Sequence, residues 1–268
     1  MSNLGLFFGG RPPAPRPPVA RNSVVREARS RISGTVYAIG DLHGRLDRFE
    51  TLIGLIQADA AQFPLTEGKP TIILLGDLID RGPESAGCIE RAIRLSSEDW
   101  CDVEVVKGNH EQALLQFLDD PAVGPTWILH GGAATLLSYG VDIKRADPSK
   151  GWASIQAAFA EALPPEHLKF CETMKLWVER DDYIFVHAGV RPGLPIALQA
   201  ETDLLWIRGE FLNSERPHPD KVVVHGHTPR RDPDLTRCRI GLDTGAYASG
   251  VLTAIRLRGP ERMLIQAR

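Results

Sequence analysis

Short apolar runs alternate, in the first half of the chain, with segments whose apolar residues recur at helical spacing. The runs 35–39, 71–75 and 103–106 have the length and composition of buried strands. Helical spacing appears in segment 46–56 after the first run and in segment 85–95 after the second. This β-α-β-α-β order predicts an α/β fold with a parallel sheet and right-handed crossovers.

The second half of the chain has a different pattern. Residues 115–180 are predicted to be mainly helical, with loops around 121–125 and 148–151, and to form an insertion beside the sheet. Further short apolar runs predict a second, mostly β layer, and they lie at 183–186, 222–224, 239–242 and 251–257. We expect one domain over residues 32–268.

Residues 1–31 do not share this pattern because they are rich in proline and arginine. Residues 11–18 read Arg-Pro-Pro-Ala-Pro-Arg-Pro-Pro. Such a segment buries too little apolar area to offset the entropy of ordering it. We expect a flexible tail, and a solvated tail is favoured over a segment that binds a partner.

Charge and composition narrow the functional classes. The net charge is −3, but residues 1–33 hold six arginines and one glutamate, so the remainder of the chain carries −8. This acidic body argues against nucleic acid as a partner. No apolar run approaches the ~20 residues that span a bilayer, so we expect a cytoplasmic protein without a membrane partner. The four cysteines are scattered and are expected to be reduced and mostly buried.

Polar clusters follow five of the apolar runs directly. They are Gly40-Asp41-Leu42-His43-Gly44, Gly76-Asp77-Leu78-Ile79-Asp80-Arg81-Gly82, Gly108-Asn109-His110-Glu111, His187-Ala188-Gly189 and His225-Gly226-His227-Thr228. Ligands of open α/β sheets bind outside the carboxyl ends of the strands, so the clusters are expected to meet there. Carboxylate, imidazole and amide donors together suit manganese, iron or zinc better than an all-oxygen magnesium site.

This set of clusters resembles the calcineurin-like metallophosphoesterases, and within them small bacterial phosphoprotein phosphatases. The resemblance covers roughly residues 35–257 and implies a β-sandwich of two mixed sheets flanked by helices. It also implies two divalent metal ions, with manganese preferred and iron or zinc compatible. Asp41 and His43 would bind the first metal, Asp77 would bridge, and Asn109, His187 and His227 would complete the second.

The resemblance also implies roles in catalysis. His110 corresponds to the catalytic imidazole, Asp80 would orient it, and Arg81 and Arg208 would hold phosphate oxygens. A hydroxide that bridges the metals would attack phosphorus, and His110 would protonate the leaving oxygen.

Other polar residues have weaker signals. His225 is interpreted as structural, and Asp243 either supports the histidine ligands or is a plain turn residue. The segment His130-Gly131-Gly132 is expected in a loop near the substrate cleft. His167 and His218 lack neighbouring motifs and are interpreted as surface residues.

These residues favour dephosphorylation of phosphoserine or phosphothreonine in proteins as the function. Phosphotyrosine and small phosphate esters are also open as substrates. No dedicated regulatory subunit is expected. The main alternative is symmetrical hydrolysis of dinucleoside polyphosphates such as diadenosine tetraphosphate. It is disfavoured because members of that type resemble Gly-Asp-Leu-Val-Ala-Arg-Gly, whereas this chain keeps Asp80. A nuclease or phosphodiesterase is disfavoured by Pro229 after the Gly-His-Thr run, and an inactive binding module by the full set of ligands.

Overall fold

The computed structural model describes residues 23–25, 29–64, 66, 68–143 and 151–268. Its strands are β1 (Ser23–Val25), β2 (Ile32–Ile39), β3 (Thr71–Leu74), β4 (Asp102–Val105), β5 (Trp177–Arg180), β6 (Tyr183–Val186), β7 (Val222–His225), β8 (Asp234–Leu235), β9 (Arg239–Gly241), β10 (Leu252–Gly259) and β11 (Glu261–Ala267). Its α-helices are α1 (Leu46–Ala60), α2 (Ser85–Leu95), α3 (Asn109–Asp119), α4 (Gly124–Trp127), α5 (Ala133–Ser138), α6 (Gly151–Ala162), α7 (Pro165–Glu172), α8 (Glu201–Trp206), α9 (Gly209–Leu212) and α10 (Ala246–Ser249).

The strands form two mixed sheets. The first has the order β1-β11-β10-β2-β3-β4, with β2, β3 and β4 parallel and β10 antiparallel to β2. The second has the order β5-β6-β7-β9-β8, with β6, β7 and β9 parallel. The predicted β-α-β-α-β unit and the sandwich of two mixed sheets are confirmed.

Strand β2 shows why the sequence contains continuous apolar runs. Val36 and Ala38 point into a core between the two sheets, where they join Phe185 of the second sheet. Tyr37 and Ile39 point the other way, into a core that the helices cover. Alternate residues of a strand face opposite sides, so a strand with both faces buried is apolar throughout.

Several boundaries differ from the sequence prediction. The loop expected at 121–125 is a 3₁₀ turn (Pro121–Val123) followed by α4. The helical stretch ends at Glu172, and Trp177–Arg180 forms β5 by pairing with β6. Strand β10 belongs to the first sheet and not to the second layer, and it pairs there with β11, a strand that the apolar runs did not predict. The differences in the strands arise because strand pairing is decided by distant partners and not by the local pattern.

The N-terminal tail is described only in part. Ser23–Val25 pairs antiparallel with β11, so this piece of the expected flexible tail is a strand. Residues 1–22 and 26–28 of the tail lie outside the described residues. All four cysteines are free thiols and three of them are buried, as predicted. Within the described ranges, no helix has the length and apolar character needed to cross a membrane.

Candidate metal centre

The polar clusters meet where the strands end. Gly40-Asp41 follows β2, Asp77 lies just beyond β3, and Asn109 begins α3 after β4. His187 and His227 come from the second sheet, after β6 and β7. All six predicted ligands are buried, and they are Asp41, His43, Asp77, Asn109, His187 and His227.

Asp77 lies at the centre of this cluster. Its Oδ2 is 3.4 Å from Nε2 of His187 and 3.7 Å from Nε2 of His43. Donor atoms lie within 4.8 Å of one another in two groups of side chains, namely His43 with Asp77 and His110, and Asp77 with His187 and His227. Asp77 is common to both groups, which is the position that a bridging carboxylate requires.

The histidine hydrogen bonds fit metal binding. Nδ1 of His43 lies 2.9 Å from the carbonyl oxygen of Ile79, and Nδ1 of His187 lies 2.8 Å from that of Leu75. A carbonyl only accepts, so each Nδ1 donates and each neutral ring presents a lone pair at Nε2. Burial lowers the pKa of His187 to about 3, which keeps this ring neutral. Two lone pairs that face the Asp77 carboxylate match a cation between them.

The second group adds Asn109. Its Oδ1 is 2.9 Å from Nε2 of His187 and 2.8 Å from Nδ1 of His227. Burial is also the main cause that lowers the pKa of His227. An amide oxygen and two neutral imidazoles therefore converge beside Asp77, and this donor set suits a transition metal or zinc.

Asp41 connects the two sheets. Both of its carboxylate oxygens accept the backbone N–H of His227, at 3.1 and 3.0 Å. Burial, followed by the charges of Asp243 and Asp77, raises the pKa of Asp41 well above its ordinary value. The carboxylates of Asp41, Asp77 and Asp243 lie close together in a buried site, and positive charge stabilises such a group. Their arrangement therefore fits two divalent ions.

His110 and Asp80 form a close pair beside this centre. Nδ1 of His110 lies 2.5 Å from Oδ2 of Asp80, and both side chains are buried. Burial lowers the pKa of His110, but the charge of Asp77 and the hydrogen bond that His110 donates to Asp80 outweigh it, so the pKa is raised. Arg81 reaches Nε2 of His110 at 3.1 Å and Nε2 of His43 at 2.8 Å. The guanidinium therefore points into the centre.

The remaining candidates lie farther out. Arg208 is exposed, its Nη1 is 3.5 Å from Oγ1 of Thr228, and its charge contributes to the lowered pKa of His227. His225 is buried, and burial lowers its pKa to about 4. His167 and His218 were interpreted as surface residues, but they are only 5% and 8% exposed. His167 contacts Tyr139 and Glu90, which a local motif does not reveal.

Backbone strain is concentrated at the site. His43, Asp77, Asp80, Arg81 and His227 all have positive φ, between 45° and 72°. Non-glycine residues rarely adopt this region, and it costs about 1–3 kcal/mol for each residue. The surrounding contacts must therefore hold these turns in place.

Glu111 is one such contact, although none of the roles predicted for the motif residues includes it. Its buried carboxylate accepts the backbone N–H groups of Asp77 at 2.9 Å, Leu78 at 2.7 Å and Gly108 at 2.9 Å. It therefore ties the turn after β3 to the first turn of α3. Glu111 is the third residue of α3, a position at which carboxylates commonly cap the start of a helix. This position is the sequence signal that identifies it.

The family comparison agrees with this geometry. Residues 34–248 match the model of the calcineurin-like phosphoesterase family. The chain belongs to that family. Phosphoester hydrolysis with bound divalent metal is therefore its general chemistry.

Relatives of similar length carry two different names. A protein of Oceanobacillus iheyensis, named bis(5'-nucleosyl)-tetraphosphatase PrpE (asymmetrical), is 27% identical over 86% of this chain and 91% of its own length. An Anoxybacillus flavithermus protein with the same name is 24% identical over 81% of this chain and 88% of its own. Serine/threonine-protein phosphatase 1 of Salmonella typhimurium is 28% identical over 83% of this chain and 92% of its own.

Solved structures support the fold. A protein provisionally described as a diadenosine tetraphosphatase superposes with a TM-score of 0.60 at 21% identity, over 88% of this chain and 95% of that chain. A mutant of a cold-active protein tyrosine phosphatase superposes with a TM-score of 0.55 at 15% identity, over 86% of this chain and 77% of that chain. At these identities the likeness concerns architecture alone.

Proposed function

We propose that this phosphoesterase cleaves dinucleoside tetraphosphates asymmetrically, into a nucleoside monophosphate and a nucleoside triphosphate. The supporting observation is its similarity, over most of both chains, to relatives with that name in Oceanobacillus and Anoxybacillus. The sequence motifs favoured protein dephosphorylation, and symmetrical hydrolysis of dinucleoside polyphosphates was the main alternative. The names of the relatives support a dinucleoside polyphosphate as the substrate, but with asymmetrical cleavage and not the symmetrical cleavage of that alternative.

Two aromatic side chains at the site favour a nucleotide substrate. Trp206 is 44% exposed with its ring centre 6.2 Å from that of His227, and Tyr247 is 39% exposed with its ring centre 5.3 Å from that of His43. Nε1 of Trp206 donates to Gln112 at 2.9 Å, which orients the indole. Aromatic rings stack on nucleobases, so Trp206 offers a platform for one base. Arg81 lies over the Tyr247 ring at 4.9 Å, so Tyr247 offers only its opposite face to the other base.

The other residues supply charge and protons. When bound by the six ligands, two divalent ions would neutralise phosphate charge and activate water. Arg81 presents a planar fork to phosphate oxygens, and Arg208 approaches from the exposed rim. His110, oriented by Asp80, would give a proton to the leaving oxygen.

Product analysis tests this proposal. The protein is stripped with a chelator, reloaded with manganese, and incubated with diadenosine tetraphosphate, and the products are separated by ion-exchange chromatography. AMP and ATP in equal amounts are the expected result. ADP alone would reverse the assignment of products, and no cleavage of the dinucleotide would overturn the substrate class.

Protein dephosphorylation is the second candidate. The His110–Asp80 pair favours it, because a serine or threonine alkoxide is a poor leaving group that needs a proton. The Salmonella relative carries a name of this class. The same manganese-loaded protein is assayed on a phosphothreonine peptide. Turnover of the peptide without turnover of the dinucleotide would replace the first proposal by this one.

A further inference from the structure

The helical insertion packs directly on the turn that holds Asp80 and Arg81. Between α4 and α5 the chain forms a kinked turn over Ile128–Gly132, in which Gly131 departs from helical backbone angles. The carbonyl of Gly131 accepts the backbone N–H of Arg81 at 3.2 Å. Gly131 has φ of 115°, and a Cβ there would lie 2.7 Å from Cγ of Arg81. The expected cleft loop is thus in tight contact with the turn that holds Arg81.

Two side chains of the insertion bind the Asp80 carboxylate. Nε1 of Trp127, the last residue of α4, donates to Oδ2 at 2.8 Å, and Oγ1 of Thr135 in α5 donates to Oδ1 at 2.5 Å. Oδ2 also receives Nδ1 of His110. Asp80, Trp127 and Thr135 are all within 1% of complete burial. Each oxygen of the Asp80 carboxylate therefore accepts a hydrogen bond from the insertion, and Oδ2 accepts a second one from His110.

The Thr135 hydroxyl has a second function in this contact. It accepts the backbone N–H of Asp80 at 3.0 Å, and it lies 2.9 Å from Oγ of Ser85. Asp80 has φ of 72°, in the strained left-handed region. Thr135 thus holds both the backbone and the carboxylate of Asp80, while Trp127 holds the oxygen that faces His110.

We propose that Trp127 and Thr135 are positioning residues, which fix the rotation of the Asp80 carboxylate and through it the orientation of the His110 ring. This inference rests on the proposed role of His110 as proton donor. A buried network in which every donor and acceptor is paired holds a single geometry. Without either donor, the carboxylate rotates and His110 spends less time aimed at the leaving oxygen.

A purely structural role makes a different prediction. Trp127 also packs against Phe117 and Phe159, with ring centres 5.2 and 5.8 Å apart. Loss of packing alone would lower stability and reduce the rate on all substrates by the same factor. Loss of proton delivery instead reduces the rate most on substrates whose leaving group is strongly basic.

The experiment compares Thr135→Val with Thr135→Ser, since serine keeps the hydroxyl and valine keeps the shape. The value of kcat is measured with the manganese-loaded protein on β-glycerol phosphate, an alkyl ester, and on 4-nitrophenyl phosphate, an activated aryl ester. We expect Thr135→Val to lose roughly tenfold on the alkyl ester and less than about threefold on the aryl ester. Thr135→Ser should stay close to the wild type on both.

Trp127→Phe tests the other donor, because phenylalanine keeps an aromatic ring and lacks the N–H group. Trp152→Phe is the matched control, since Trp152 also packs on Phe117, at 6.3 Å between ring centres. Only Trp127→Phe should show the leaving-group-dependent loss. In NMR spectra of the zinc-loaded protein, which avoids paramagnetic broadening by manganese, we expect a downfield resonance for the proton of the His110–Asp80 hydrogen bond. This resonance should shift in Trp127→Phe and remain in Trp152→Phe.

His110→Ala separates this inference from the function on which it rests. Equal losses on both esters in His110→Ala would reject proton donation by His110 and the positioning role with it. A leaving-group-dependent loss in His110→Ala, together with equal losses or none in Thr135→Val and Trp127→Phe, would overturn the positioning role alone. Melting temperatures of all variants show whether a loss reflects unfolding.

Discussion

At the scale of single residues, Glu111 determines whether the strained turns of the site persist. Its carboxylate has three close backbone N–H partners on two different elements, and the side chain is fully buried. Charged acceptors make hydrogen bonds about twice as strong as neutral ones. The cost of the left-handed conformation at Asp77 is offset in part by these bonds.

Glu111→Gln should therefore weaken the site more than its small change in shape implies. Its amide group replaces one acceptor oxygen by a donor that faces backbone N–H groups. We expect a loss of about 1–3 kcal/mol in the free energy of unfolding, measured by urea denaturation, and fewer manganese ions per chain. Glu161→Gln, at an exposed position of α6, is the control. Equal stability of the two variants would contradict the role of Glu111.

Gly226 makes a second prediction at this scale. A Cβ at this position would lie 2.0 Å from Oδ1 of Asp41, closer than real Cβ atoms approach other atoms. Gly226→Ala should push Asp41 away from the centre and weaken manganese binding. We expect calorimetry to show a Kd at least tenfold higher, which corresponds to about 1.4 kcal/mol of binding free energy. Gly54→Ala should leave the Kd unchanged, because its new Cβ meets nothing within 4 Å. An unchanged Kd for Gly226→Ala would exclude Asp41 as a ligand.

At the scale of elements, the sequence pattern predicted some parts well and others poorly. Segment 85–95 is helix α2 as expected, and the three parallel strands follow from their apolar runs. The contacts of Trp127 and Thr135 with Asp80 were not predictable. They join residues 47 and 55 positions apart in the chain, and a local pattern does not indicate which distant residues meet.

Helix α1 allows a test of how far local propensity contributes. Gly54 lies at an exposed position in the interior of this helix. Gly54→Ala should stabilise the protein by about 0.5–1 kcal/mol, because alanine loses less backbone entropy on folding. Urea denaturation at constant slope measures the gain. A loss of stability would mean that the new methyl group meets a neighbour.

At the scale of the whole molecule, the two sheets share one centre. The first sheet supplies Asp41 and Asp77, and the second supplies His187 and His227. The motif blocks predicted these ligand positions because each block directly follows a strand. This prediction does not require knowledge of which strands pair. The roles of the ligands stay predictions. The place of β10 and β11 was not predictable, since the pattern of a strand does not reveal its partner.

Metal should stabilise both layers together, because its ligands come from both. Manganese at 100 times its Kd should add about 2.7 kcal/mol per occupied site to the free energy of unfolding and raise Tm accordingly, as differential scanning calorimetry can measure. Chelator should reverse the gain. His187→Ala should show a much smaller rise. An identical Tm with and without manganese in the wild type would argue against a metal centre formed by both sheets.

The strand order has a consequence for the synthesis of the protein. Strand β2, which leads into Asp41, lies between β3 and β10, and β10 is made more than 200 residues after β2 begins. Domains generally fold as units during translation, and contacts between distant residues form late. A nascent chain that already contains every ligand up to His227 would still lack one neighbour of β2. We therefore expect stable metal binding only after β10 has paired with β2.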